Sequence, residues 1–322
     1  MSVRSAAAAE KGPSDVAKRV LFYRDFRALQ GGHIVHAQYM RLVAAMPGYD
    51  VRLFLTPESA PIAESPWASF ADRCERSWNP DEADIHFVAG LDWRAYPRER
   101  ALENERPFIN LIQGVRHADP ENPLHAFLDR RALRICVSDE VHAALEATGR
   151  CNGLIVTIAN ALTPDVAELH GVRKDVSVAI VAIKQPALAE ELAEALRRTG
   201  IGVEVVHRCE RGAFLERLAR ARLVVALPLA REGFYLPALE AMALGCIVVC
   251  PDCVGNRGYC HDGLNCIVPR EYTAAAIVGS VRAALSLSDE ARAALLSAAG
   301  ATATAHGEAR IAAGLATVFE EL

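Results

Sequence analysis

Long apolar runs are missing from this 322-residue chain. Stretches such as LVVAL at 223–227 fall far short of the roughly 20 apolar residues that cross a bilayer, so at most peripheral membrane contact is expected. A positive excess is missing too. Lys+Arg 35 against Asp+Glu 40 leaves a net charge of -5, which provides no global basic field for a nucleic-acid backbone, and no nucleic-acid partner is expected. The chain has no H-E-x-x-H, no G-x-S-x-G and no P-loop, which removes the common zinc-protease, serine-hydrolase and P-loop readings. No Asp-x-Asp pair occurs, so a carboxylate clamp for a divalent ion on a diphosphate has no source, and neither a metal nor a cofactor is expected. The alanine run in MSVRSAAAAEKGPSD is too short and too weakly apolar for a signal-peptide core. Residues 1–18 therefore read as a disordered tail, and the location as cytoplasmic.

Cysteine is not scarce: there are nine, five of them in GCIVVCPDCVGNRGYCHDGLNC, Gly245 to Cys266. An odd count without a secretory signal argues against a disulfide framework. Only Cys250-Pro-Asp-Cys253 has the spacing of a metal or dithiol knuckle, and Cys260 and Cys266 do not supply the second close pair of a structural zinc site. Cys246 and Cys250 would share one face of a strand, where thiols pack as small apolar groups. His33 and His36 are spaced for one helix face but have no acidic companion, a weak ligand signal.

With 52% hydrophobic residues, the length suits two domains. Short β-branched runs alternate with amphipathic segments throughout. RVLFYRDF from Arg19, VRLFL (51–55), DIHFV (84–88), PFINLI (107–112), LRICV (133–137) and LIVTIAN (154–160) read as strands. Gly31-Gly32 reads as a turn before the helix HIVHAQYMRLVAAM, and Ser138 as the cap of SDEVHAALEATG. Residues 161–175 read as a polar connection, after which VSVAIVAI (176–183), VEVV (203–206), RLVVAL (222–227), CIVVC (246–250) and NCIV (265–268) form a second series. Alternating β and α elements make parallel sheets between helices, so two Rossmann-like, doubly wound α/β domains facing a cleft are expected, spanning 19–165 and 166–305. Residues 306–322 read as a last helix able to cross back to the first domain. Ligands of such sheets bind beyond the carboxyl ends of the strands.

One loop of that kind is REGFYLPALEAMALG, Arg231 to Gly245. Pro237 suits a first helical turn. The amides of Phe234, Tyr235 and Leu236 would then point from the helix start into the cleft, a ready site for phosphate. Glu232 and Glu240 flank that helix start as hydroxyl acceptors, or else serve as a helix N-terminal acid and a solvated helix residue.

The stretch resembles the hallmark segment of the family 4 (group 1) retaining glycosyltransferases, whose fold is GT-B. The likeness rests on Glu232-x7-Glu240, E-G-F-x-L-P, the E-A-M-A-x-G run from Glu240 to Gly245, G-N-R at Gly255 to Arg257, and D-G-x-N at Asp262 to Asn265. It implies transfer of a sugar, with retention, from a nucleotide-diphosphate-sugar donor to an acceptor hydroxyl of a glycan, lipid, protein or small molecule. By the resemblance Glu232 binds the transferred sugar, Glu240 the donor ribose, and the Gly233 to Leu236 loop the diphosphate. Lys184 stands for the first of the family's two cations, while Ala189 occupies the place of the second; Arg257 is a candidate to compensate. His117 stands for the histidine facing the donor sugar, or is a loop histidine satisfied by backbone; Arg116 beside it is a candidate phosphate contact. Gly31 and Gly32 either let backbone approach the donor phosphates or make a tight turn. Tyr235 and Cys266 stand where the family usually has glycine. The missing cation and the short length also admit a GT-B protein that binds nucleotide or glycan without turnover.

Overall fold

The computed structural model describes residues 17–97 and 106–322, so the tail expected at 1–18 lies almost wholly outside the described residues. Six strands form the first sheet: β1 Lys18–Arg24, β2 Tyr49–Leu55, β3 Ile85–Ala89, β4 Phe108–Ile112, β5 Leu133–Cys136 and β6 Ile155–Thr157. Their spatial order is β2-β1-β3-β4-β5-β6, all parallel. Every residue of β3 (IHFVA) and β4 (FINLI) is buried, as helix-covered parallel strands require.

Two helices frame the site on this side. Helix α1 runs Gly31–Ala44, so Gly31-Gly32 opens the helix instead of forming a separate turn. Neither glycine has a positive φ, and helical geometry costs them only propensity. Helix α2, Asp139–Glu146, is capped by Ser138, whose hydroxyl accepts from the Val141 amide at 3.3 Å.

The second sheet holds β7 Val176–Val181, β8 Val203–Val206, β9 Ala221–Ala226 and β10 Ile247–Val249 in the order β10-β9-β7-β8, again parallel. NCIV, read as a fifth strand, makes only two isolated bridges, Val249–Ile267 and Asp262–Cys266. Asn265 anchors the preceding loop: its side-chain amide donates to the Tyr259 carbonyl and Thr302 Oγ1, at 2.7 and 2.8 Å, and its Oδ1 accepts from the His261 amide at 2.8 Å. Around this sheet lie α3 Pro186–Arg197, α4 Arg211–Arg220, α5 Leu236–Ala243, α6 Ala274–Leu285 and α7 Asp289–Ala305.

Helix α8, Glu308–Glu320, turns back to the first sheet. Ile311, Leu315, Val318 and Phe319, on one helix face, are buried in the first domain's core. At about 1.5–3 kcal/mol per buried apolar side chain, that face ties the chain end to the first domain.

Candidate active site between the two sheets

Each sheet has one place where successive connections leave in opposite directions. In the second sheet it lies between β7, which starts the series, and its neighbour β9. Such a switch point opens a crevice at the carboxyl ends of the two strands. The loop after β7 carries Lys184 and the loop after β9 carries Glu232, and their side chains meet there with Nζ to Oε1 at 3.3 Å. That carboxylate oxygen is sealed from solvent and makes no hydrogen bond, so the ion pair is its sole polar contact among the described residues. Lys184 remains 43% exposed and able to reach an anion in the crevice.

The loop from Glu232 to Leu236 is where the two domains touch. A Cβ on Gly233 would stand 2.4 Å from the Gln113 carbonyl oxygen and 2.6 Å from Gly114 Cα, both in the loop after β4. Only hydrogen fits there. Gly255 is equally constrained, with the Phe234 nitrogen 2.5 Å from where its Cβ would be. Phe234 and Leu236 pack against the first core, and Phe234 also stacks on Tyr259 with centroids 5.1 Å apart. Two polar contacts close the same seam: Arg231 to Asp119 at 3.1 Å and Arg208 Nη1 to the Leu29 carbonyl at 2.9 Å.

The expected row of three amides is interrupted. The Tyr235 amide donates to the Gly255 carbonyl at 3.1 Å, which removes it from any phosphate. Its side chain is buried in the second core, so it does not narrow the loop. Burial holds its hydroxyl well above the ordinary tyrosine range, and that hydroxyl has no hydrogen-bond partner among the described residues.

Glu240 is not a solvated helix residue: it is 2% exposed, one turn into α5. Arg211, in the first turn of α4, donates from Nη1 to Glu240 Oε1 at 2.6 Å. The same guanidinium donates from Nε to Asp165 Oδ2 at 2.9 Å and from Nη2 to Thr163 Oγ1 at 3.0 Å, both in the connection between the domains. Burial holds the Glu240 carboxyl above its ordinary range, and Arg211 offsets part of that rise. Sequence reasoning missed Arg211. Its partners lie 29, 46 and 48 residues away, and no local pattern marks them.

Residues 152–286 match the family model described as glycosyl transferases group 1. The second domain is thus similar to the group 1 glycosyltransferases. Across both domains the chain resembles Anabaena HepE crystallised with UDP and glucose, at TM-score 0.68, 15% identity, and 95% of this chain over 100% of that one. Sucrose-phosphate synthase from Thermosynechococcus elongatus gives 0.67 at 13% identity, covering 94% and 98% of the two chains. A glycosyltransferase from Rickettsia africae gives 0.65 at 11%, covering 95% and 98%. These likenesses establish the GT-B fold. No curated protein sequence matches the chain significantly.

The remaining residues singled out in the sequence do not all reach this cleft. Ala189, in place of a second cation, is fully buried on the face of α3 that packs on the second sheet. Arg257 is paired with Asp252 through Nη2 at 2.6 Å and Nε at 3.0 Å, so its charge is already matched. Arg208, which the sequence reading passed over, is an exposed cation just beyond β8, the strand beside β7.

His117 is 3% exposed, and burial with the charges of Arg116 and Arg134 lowers it to about 3. It is a neutral, enclosed imidazole, while Arg116 beside it is exposed. Gly31 has open space at its Cβ position, whereas Gly32 faces Gln113, whose Nε2 donates to the Gly32 carbonyl at 3.1 Å. All five cysteines of 245–266 are buried, and among the described residues no group of three or more His, Cys, Asp or Glu is arranged to hold a metal.

Proposed function

We propose that the chain is a retaining glycosyltransferase that moves a sugar from a nucleotide-diphosphate-sugar donor to an acceptor hydroxyl in glycan or glycoconjugate biosynthesis. The observation that carries the reading is the Lys184–Glu232 pair at the switch point of a group 1 glycosyltransferase domain. Lys184 faces the diphosphate and stabilises the charge that grows on it as the bond between sugar C1 and phosphate oxygen breaks. Glu232 accepts from a hydroxyl of the transferred sugar and Glu240 from the ribose, so that the reacting carbon is held in register with the acceptor. The new bond joins C1 to the acceptor oxygen on the face the diphosphate leaves. The acceptor proton passes to the departing phosphate oxygen, so the step needs no protein nucleophile.

Two features support a soluble, cytoplasmic enzyme using a uridine donor. No helix among the described residues is long and apolar enough to cross a membrane, and the similar HepE was crystallised with UDP and with UDP-glucose. The test is a panel of UDP-, GDP- and ADP-sugars assayed for nucleoside diphosphate release, with the anomer of any product read by NMR. Release that disappears in Lys184→Ala and Glu232→Gln supports the reading, and an inverted product refutes retention. The buried Ala189 favours a second reading, a binding module. It prevails if a nucleoside diphosphate binds but no sugar of the panel is released or transferred.

A further inference from the structure

We infer that Arg211 is a positioning residue of the donor site, keeping Glu240 ionised and turned so that one carboxylate oxygen, Oε2, meets the ligand. This rests on the reading that Glu240 accepts from the ribose. Arg211 occupies Oε1 at 2.6 Å. Oε2 has no hydrogen-bond partner among the described residues and is not among the atoms sealed from solvent. The acceptor offered to a ribose is therefore that single oxygen.

The guanidinium is itself fixed, with Nε on Asp165 at 2.9 Å and Nη2 on Thr163 at 3.0 Å. Three nitrogens in a planar fork serve three partners, a spread that the three donors on one ammonium nitrogen cannot reproduce. The charged groups that face Glu240 are Arg211 from α4 and Asp165 from the inter-domain connection; α5 itself carries no other charge. Asp165 repels the Glu240 carboxylate, so Arg211 is the single group that favours its ionised form. Because Thr163 and Asp165 belong to the connection between domains, the direction of Glu240 is fixed from outside its own sheet.

The test measures UDP, GDP and ADP binding by calorimetry, from about pH 6 to about pH 8, for wild type, Arg211→Gln, Arg211→Lys, Glu240→Gln and the Arg211→Gln/Glu240→Gln double variant. Arg211→Gln should weaken the nucleotide that wild type prefers by about tenfold or more, and increasingly so toward low pH, with a slope steeper than the one that titration of the nucleotide's own terminal phosphate gives wild type. The double variant should bind no more weakly than Glu240→Gln alone, since Arg211 acts through that carboxylate. Arg211→Lys keeps the charge and loses the fork, so it should bind weakly with the slope of wild type. If Arg211→Gln loses its cooperative melt, Arg211→Lys combined with Glu240→Gln carries the same comparison. Wild-type affinity and profile in Arg211→Gln, or losses that add in the double variant, overturn the inference while leaving the donor reading intact. A wild type that binds none of the three nucleotides overturns the donor reading and this inference with it.

Discussion

Lys184 and Glu232 meet at 3.3 Å across the ends of two adjacent parallel strands, β7 and β9, and Glu232 Oε1 has no other polar contact among the described residues. A half-exposed lysine held beside a sealed carboxylate oxygen contributes little to stability, because solvent screens its charge. On the proposed reading its value lies in the charge it presents to a ligand. Lys184→Ala is predicted to lower turnover by about 10²–10³-fold, the range for removing one preorganised donor from a developing oxyanion. The same change should alter stability by less than about 1 kcal/mol. Turnover and urea denaturation measured on one preparation check both parts, and full activity in Lys184→Ala would sink the assignment.

Restoring the family's second cation at position 189 should fail. Ala189 sits on the buried face of α3 against Leu192, Leu196 and the second sheet. Ala189→Lys would place an unpaired ammonium in that core, at a cost of several kcal/mol. The variant should melt far below wild type, or not fold at all, and gain no nucleotide affinity. A stable Ala189→Lys that binds nucleoside diphosphate more tightly would show that the helix turns differently in solution.

The glycines of the cleft separate into two kinds. Gly233 has backbone of the other domain within 2.4 Å of its Cβ position, whereas Gly31 has nothing within 4 Å. Gly233→Ala should therefore push the two domains apart and lower turnover, with an increase in radius of gyration by small-angle scattering. Gly31→Ala is sterically free and replaces a poor helix former in the first turn of α1, so stability should hold or rise by up to about 1 kcal/mol. Turnover in Gly31→Ala then discriminates the two roles open for that residue. A loss at undiminished stability means that the backbone there approaches the donor, and unchanged turnover means that it serves the chain alone.

What the sequence made legible follows from how local each feature is. Strands such as FINLI and IHFVA announce themselves because burial on both faces demands unbroken apolar runs. Ser138 was readable as a cap because its partner is three residues away. The Lys184–Glu232 meeting follows from sheet order, which the β/α alternation implies only in outline. Arg211 was invisible because its three bonds cross from α4 to α5 and to the inter-domain connection. Tyr235, which looked like an intruder in a phosphate loop, turns into the core, and its amide is taken by Gly255, a partner 20 residues on in a separate loop. NCIV has the composition of a strand, but side-chain bonds tie Asn265 to the preceding loop, and its pairing with β10 is a single bridge. In each case the deciding contact is tertiary.

Three histidines held neutral in the first domain should make the protein sensitive to mild acid. His33 is lowered to about 4, by burial and then by Arg24. His117 is lowered to about 3, and His36, fully buried among Phe22, Phe87 and Trp67, lies well below its ordinary value. Below about pH 6.5 the unfolded chain takes up protons that the folded one refuses, so stability falls as pH falls toward those depressed values. Asp92 works in the opposite sense: burial raises it to about 6 against the pull of Arg24, so the folded state binds its proton first. Between about pH 6 and pH 4 that one group offsets one histidine, and a net loss remains. Urea denaturation of wild type from about pH 7 to about pH 5 should show stability decreasing. In His117→Gln the slope should be shallower by up to about 1.4 kcal/mol per pH unit, whatever the substitution costs in packing. Parallel slopes for the two proteins would mean that His117 titrates normally and that its imidazole reaches solvent in the folded state.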